Sequence, residues 1–137
     1  EKSKEITLIP LERLQRGPRG VIVPISDTNG VVIESHRAEG WGKRMMDSDY
    51  GRKSGNSGTA AYGVSVYWID TTTDTNRYVG TDGIIDSDAG DRWADHVVPA
   101  GVSRTFDLLI KGDKVTYRGV TVEFVKSGEY DTVRITK

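Results

Sequence analysis

Cysteine is absent from this chain of 137 residues, which also has only two histidines, two phenylalanines and four prolines. Without cysteine the chain can form neither a disulfide nor a thiolate metal site. Its longest apolar runs, such as residues 21–25, are far shorter than the roughly 20 residues of a membrane-spanning helix. We therefore expect neither a disulfide scaffold nor a membrane span.

A strong charge of one sign is also lacking. Lys and Arg total 19 against 20 Asp and Glu, so the formal net charge is −1 and the isoelectric point about 6.2. Proteins that bind nucleic acids need a basic surface that displaces counterions from the phosphates. Arg13, Arg16 and Arg19 lie close together, but one basic group on a near-neutral chain is typical of a solvated loop. The composition predicts no nucleic-acid partner.

The residues that common hydrolases need do not occur at the required spacings. A zinc peptidase helix carries His-Glu-x-x-His, which places two ligands and a base on one face. The two histidines here, His36 and His96, are far apart in the sequence, and Ser57 lacks the Gly-x-Ser-x-Gly setting of a nucleophile elbow. We expect no zinc site and no complete catalytic centre in this chain.

The chain does contain a series of short apolar stretches separated by turn residues. Its length fits one domain, so we expect residues 1–137 to form a single domain. About eight short strands at this spacing predict an all-β fold, either an antiparallel β-sandwich or a partly open barrel. The sequence opens at Glu1 without Met or a signal peptide. It therefore reads as a piece cut from a larger extracellular protein.

Turn residues and alternation locate the main strands. Asn-Gly within residues 27–30 predicts a tight hairpin, because these residues accept the positive φ angles of such turns. Residues 63–70 read as a central strand in which Val64, Val66 and Trp68 share one face. This spacing favours the core for Trp68.

The C-terminal third gives the clearest strand signals. Val120, Val122 and Phe124 alternate and would share one face, after a two-residue turn at residues 118–119. A second turn at residues 127–129 leads into another alternating stretch. Together these features predict consecutive antiparallel strands.

Two stretches depart from this pattern. Residues 35–62 contain five glycines and little apolar surface, so we expect a long mobile loop, most exposed over residues 40–60. A short helix over residues 43–47 is the most that this loop offers. Residues 91–96 show the one fair helical turn of the chain.

An acidic loop is the candidate metal site. Asp82, Asp86, Asp88 and Asp91 lie within ten residues that also include two glycines, a composition that suits a hard cation such as calcium. The spacing does not match an EF-hand loop, which needs a ligand at its fifth position and a bidentate Glu at its twelfth. Two interpretations therefore stay open, a calcium site and a solvated acidic turn.

Trp41 is the candidate ligand contact. It stands between two glycines in a polar stretch, which leaves it little to pack against locally. An exposed tryptophan of this kind suits the stacking of a sugar ring or contact with a protein surface. We keep Trp41 as a possible contact residue for a glycan or a surface protein.

Two stretches together resemble a known family. Residues 31–38 read VVIESHRA, and residues 63–71 read GVSVYWIDT. Their order and spacing look like the paired-strand region of the immune inhibitor A-like secreted metallopeptidases. Residues 109–122 are similar to the C-terminal β region of actinobacterial relatives. His36 stands where that family usually has Arg, so a structural ion pair of that Arg would be missing here or made by Arg37.

The resemblance implies a function for the chain but no catalytic residue within it. The zinc motif is absent, so the active site of such a parent would lie N-terminal to Glu1. We expect a non-catalytic accessory or interaction β domain of a bacterial secreted or cell-surface protein. Its partner would be another domain of the same protein, a surface protein or a glycan. The alternative is a carbohydrate-binding or adhesion module.

Overall fold

A computed structural model of the chain describes residues 1–37, 39, 62–72, 94–97, 99 and 108–137. Within these residues the fold is all-β, without a helix. The strands are β1 (Ser3–Leu8), β2 (Gly20–Pro24), β3 (Asn29–Arg37), β4 (Tyr62–Asp70), β5 (Ala94–His96), β6 (Leu108–Leu109), β7 (Lys114–Tyr117), β8 (Val120–Lys126) and β9 (Asp131–Thr136).

The strands form two antiparallel sheets. The first sheet has the order β1-β9-β8-β7, and the second has the order β2-β3-β4-β5, with β6 also paired to β4. β3 and β4 are the longest strands and pair along their whole lengths, from Asn29 opposite Asp70 to Arg37 opposite Tyr62. The sheets are not closed into a barrel, which leaves the β-sandwich of the two predicted architectures.

One hydrophobic core lies between the sheets. Val64 and Val66 of β4 and Val31 and Ile33 of β3 belong to the same buried cluster as Phe124 of β8. Trp68 shares the inward face of β4 and is 8% exposed, so its predicted place in the core is confirmed. The predicted shared face of Val120, Val122 and Phe124 is also confirmed. Alternation in the sequence therefore identified core residues in both sheets.

The turn between β7 and β8 follows from its two residues. Arg118 and Gly119 have φ angles of 48° and 82°, as a two-residue hairpin turn of the twist-compatible type requires. The Arg118 guanidinium lies over the Trp68 ring, 4.3 Å from its centroid, and 5.4 Å from that of Tyr117. This stacking joins the β7–β8 turn of the first sheet to β4 of the second.

The β2–β3 hairpin is confirmed, but the predicted Asn-Gly turn is wrong. Asn29 and Gly30 already belong to β3, and Gly30 pairs with Pro24. The chain reverses just before Asn29 instead. There the Ser26 hydroxyl accepts hydrogen bonds from the amides of Thr28 and Asn29. A local hydroxyl-to-backbone turn therefore outcompeted the Asn-Gly signal.

The helical turn expected within residues 91–96 is also corrected. Ala94–His96 form strand β5, which pairs with Tyr67 to Ile69 of β4. The long edge of β4 offers backbone partners that a single helical turn cannot match. The mobile loop expected over residues 35–62 is wrong at both ends, because residues 35–37 belong to β3 and Tyr62 to β4, where they pair with each other's strand. The central part of that loop, residues 40–60, and the short helix at 43–47 lie outside the described residues.

Candidate functional site

The residues that the sequence predicts to bind ligands lie outside the described residues. Trp41 lies outside the described residues, and so do the acidic residues proposed for calcium, namely Asp82, Asp86, Asp88 and Asp91. The contact role of Trp41 and the calcium site both stay predictions. Trp68, a second tryptophan of the chain, lies in the core beneath Arg118 and offers no stacking face to a sugar.

A polar cluster occupies the outer face of the second sheet. Alternation along β3 turns Glu34 and His36 outward, and alternation along β4 does the same for Ser65 and Tyr67. Glu12 joins them from the connection between β1 and β2. The sequence did not predict this cluster, because its four strand residues are brought together by the β3–β4 register.

His36 is the centre of this cluster. Its Nδ1 lies 3.2 Å from Oε1 of Glu12, and its Nε2 lies 3.1 Å from Oγ of Ser65. The carboxylate of Glu34 is 3.7 Å from the same Nε2 and accepts a 3.1 Å bond from the Tyr67 hydroxyl. The imidazole is therefore held at both nitrogens, which fixes its orientation.

The two carboxylates alter the acid–base properties of the cluster. Burial lowers the pKa of His36, but contact with Glu34 and the charge and hydrogen bond of Glu12 outweigh burial, so the pKa of His36 is raised. Burial and the neighbouring Glu34 raise the pKa of Tyr67 to about 12. The cluster therefore favours a protonated imidazole and a neutral phenol.

Ser65, His36 and Glu12 have, in that order, the connectivity of a nucleophile, a base and an orienting acid. Ser65 is only 4% exposed and lies within a strand that is paired on both edges. Burial of this degree is typical of a structural serine rather than of an accessible nucleophile. Glu12 lies at Nδ1 of the His36 ring and Glu34 at Nε2. The side chains of Glu12, Glu34 and His36 therefore do not converge on one metal ion. In the part of the chain that the structure describes, no group of three metal-ligating side chains is found.

A buried ion pair joins the two sheets. Arg37 of β3 donates to both carboxylate oxygens of Asp131 of β9, at 2.6 and 2.7 Å. Both side chains are almost fully buried. The Ser35 hydroxyl adds a 2.7 Å bond to the same carboxylate, and Arg37 also donates to the Gly128 carbonyl oxygen. Arg37 therefore takes part in a structural ion pair between the two sheets.

The sequence contains a local signal for this pair. Arg37 continues the inward alternation of Val31 and Ile33, and Asp131 stands in phase with Val133. A charge in the apolar phase of a strand requires a buried partner of opposite charge. Two such residues in one chain therefore indicate a pair across the core.

Exposed apolar side chains come mainly from the segment that connects β1 to β2 and from β2 itself. Among the described residues the exposed large apolar side chains are Leu11, Leu14, Ile22 and Ile110. The first three come from the β1–β2 connection and β2. Leu14 is fully exposed and Ile22 is 65% exposed. The β1–β2 connection and β2 therefore expose apolar surface that is not part of the hydrophobic core.

Comparison with protein-family models, with curated proteins and with solved structures finds no match for this chain. The described residues include no helix with the length and apolar character to cross a membrane.

Proposed function

We propose that this chain is a non-catalytic interaction domain of a secreted or cell-surface, metallopeptidase-like protein. It binds either another domain of that protein or a surface partner. The observation that carries the proposal is the exposure of Leu14, in the β1–β2 connection, and of Ile22, in β2. The resemblance of residues 31–38 and 63–71 to secreted metallopeptidases supplies the class of parent.

The exposure of Leu14 and Ile22 supports binding because neither side chain belongs to the buried hydrophobic cluster. The core between the sheets is filled from both sides by other residues, including Phe124 of the first sheet and Val64 of the second. Burying a leucine or isoleucine side chain is worth roughly 1.5–3 kcal/mol. A partner that covers Leu14 and Ile22 gains this energy without any rearrangement of the core.

The His36 cluster supports a non-catalytic role. Its polar groups are engaged with one another, and Ser65 is buried beneath the outer face. The alternative function, a carbohydrate-binding or adhesion module, depends on Trp41, which lies outside the described residues. The buried Trp68 gives that alternative no support.

The absence of catalysis is tested on the isolated chain. We expect no hydrolysis of unfolded casein with zinc added, because the chain has no pair of histidines at ligand spacing. The release of acid-soluble peptides measures the activity. Hydrolysis that a chelator abolishes would contradict the proposal.

The interaction role is tested with the remainder of the parent protein supplied as a separate polypeptide. Calorimetry should detect binding to this chain, and the double change Leu14→Gln with Ile22→Thr should weaken it about tenfold or more. Ile110→Thr is the matched control, since Ile110 is also exposed but lies elsewhere. No binding by the wild-type chain, or equal loss with Ile110→Thr, would count against the proposed surface.

A further inference from the structure

Strand β2 lies at the end of the second sheet, with β3 as its one strand partner among the described residues. The Ile25 amide donates to the Asn29 carbonyl oxygen at 2.9 Å, which makes these two residues a hydrogen-bonded pair. In an antiparallel ladder such pairs alternate. Val21 and Val23 therefore bond to β3, while the backbone groups of Ile22 point away from the sheet.

Pro24 agrees with this assignment. It stands two residues from Ile22, and its missing N–H would otherwise point outward, where the ladder to β3 does not need it. Its carbonyl oxygen accepts a hydrogen bond from Nζ of Lys137. The open part of the edge is thus centred on the N–H and C=O of Ile22.

Among the described residues, β2 has only part of the usual protection of an edge strand. Natural edges are blocked by proline, by charged side chains, by bulges or by a covering element, and Pro24 with Lys137 blocks the C-terminal end of β2. The residues of β2, Gly20–Pro24, carry no charge, and the β2–β3 ladder runs without a register shift. Ile22 is 65% exposed beside this ladder. Such a strand accepts a further strand through main-chain hydrogen bonds.

Charge at the two ends indicates what kind of strand is accepted. Arg19 immediately precedes β2, and its guanidinium donates to the carbonyl oxygens of Leu11 and Gln15. Lys137 lies at the other end, on Pro24. The edge is therefore apolar in its centre, with one cation at each end. Two acids also lie near it: Asp27 in the following turn, and Glu34, which stands beside Gly20 on the sheet face and is bonded to Tyr67.

This distribution disfavours a second copy of the chain as the occupant. Antiparallel pairing of two β2 strands about Ile22 would bring Arg19 of each copy towards Lys137 of the other. Like charges in that position repel. A segment with acidic residues at its ends meets the same cations favourably.

We propose that β2 is a docking edge for an extended partner segment with apolar residues at its centre and Asp or Glu at both ends. This inference rests on the proposed interaction function and names the partner chemistry for the same surface. The partner adds a strand beside β2, bonds to the N–H and C=O of Ile22, and places its acids near Arg19 and Lys137.

The test uses two synthetic peptides with the same alternating Thr-Val centre, one flanked by Glu and the other by Lys. The Glu peptide should bind the chain, more weakly as salt rises, and the Lys peptide should bind at least about tenfold more weakly. Amide chemical shifts should change most at Ile22. Equal binding of both peptides, or no binding of the Glu peptide, would overturn the proposal.

Two variants of one residue separate edge pairing from side-chain contact. Ile22→Pro removes the outward N–H without touching the bonds to β3, as Pro24 already does in the same strand. It should weaken the Glu peptide about tenfold, whereas Ile22→Val should change binding less than about twofold. Thermal melts of each variant show whether the fold is kept. If Ile22→Pro lowers the melting temperature, Arg19→Gln with Lys137→Gln gives the second comparison, and full binding by that variant would overturn the proposal.

Sedimentation of the chain alone checks the other occupant. A dimer that Ile22→Pro abolishes would show that β2 pairs with itself and would refute the acidic-segment proposal. If the remainder of the parent protein binds and Ile22→Pro has no effect, the interaction function stands and the docking edge is wrong. If that remainder does not bind at all, it is the proposed function that fails.

Discussion

Asp131 shows how a single residue links the two halves of the sandwich. Its carboxylate is fully buried and is bonded by Arg37 and Ser35 of the opposite sheet and by Ser127 near its own strand. Each of these groups loses water on folding, so the pair stabilises the sandwich only while every partner is present. Its geometric effect is to fix how β3 lies against β9.

Asp131→Asn should destabilise the chain by about 3–5 kcal/mol, because it leaves the Arg37 charge buried without a counterion. Urea unfolding measures the change. Glu123→Gln is the control, since it removes a partner of Arg134 at a half-exposed site and should have a much smaller effect. If the two variants lose similar stability, the buried pair does not have this role.

His36 should make stability depend on pH near neutrality. Its pKa is raised in the folded chain, so the folded state binds a proton more tightly than the unfolded state. The resulting stabilisation is complete below the unfolded pKa of about 6.5 and is lost as pH rises through the higher folded pKa.

The measurement is the free energy of unfolding from pH 5.5 to 8.5, for the wild type and for His36→Gln. Stability of the wild type should fall with rising pH relative to the variant. Subtracting the variant removes the contribution of His96 and the acidic residues. An unchanged difference across this range would show that His36 has the same pKa in both states.

At the scale of elements, β3 and β4 organise the second sheet. The sequence predicted both strands and the inward face of β4, since alternation is a local property. It did not predict that Gly63 allows β6 to approach β4. A Cβ at Gly63 would lie 2.5 Å from the Leu109 carbonyl oxygen and 2.9 Å from Cβ of Leu108. This close approach depends on pairing between strands that are distant in sequence, which no local pattern reveals.

Gly63→Ala should therefore separate β6 from β4 and destabilise the chain by about 1–3 kcal/mol, as overpacking does elsewhere. Gly128→Ala is the matched control, because the nearest heavy atom to its added Cβ would be 4.0 Å away. Thermal unfolding compares the two. Equal effects would mean that the close approach at Gly63 is relieved without cost.

At the scale of the whole molecule, the sequence was sufficient for the fold class and insufficient for the sites. The sandwich follows from repeated alternation and turns, both of which can be read locally. The His36 cluster and the Arg37–Asp131 pair depend on register and on the stacking of two sheets. The β2 edge depends on strand order, which puts β2 at a margin. Hairpin signals predict which consecutive strands pair with each other, but they do not predict which strand lies at the edge of the sheet.

The acidic loop gives a prediction that concerns the stability of the whole chain. Asp82, Asp86, Asp88 and Asp91 repel one another when they are close, and a divalent cation relieves that repulsion by direct coordination. Calcium that binds only the folded state must stabilise it by mass action. The gain is about 2.7 kcal/mol at a free concentration 100 times the dissociation constant. For a chain of this size, that corresponds to a rise of about 5 °C or more in melting temperature.

Melts in millimolar calcium and in excess chelator measure this rise, and the double change Asp86→Asn with Asp88→Asn should abolish it. Asp27→Asn, in the turn between β2 and β3, is the control for a general loss of acidic charge and should keep the full rise. Magnesium should stabilise much less, because it demands a strict octahedral geometry and gives up its bound water reluctantly. A wild-type midpoint that calcium leaves in place identifies the loop as a solvated acidic turn. A rise that survives the double change moves the site to other acids, with Asp70 and Asp74 the next to test, because both flank the end of β4.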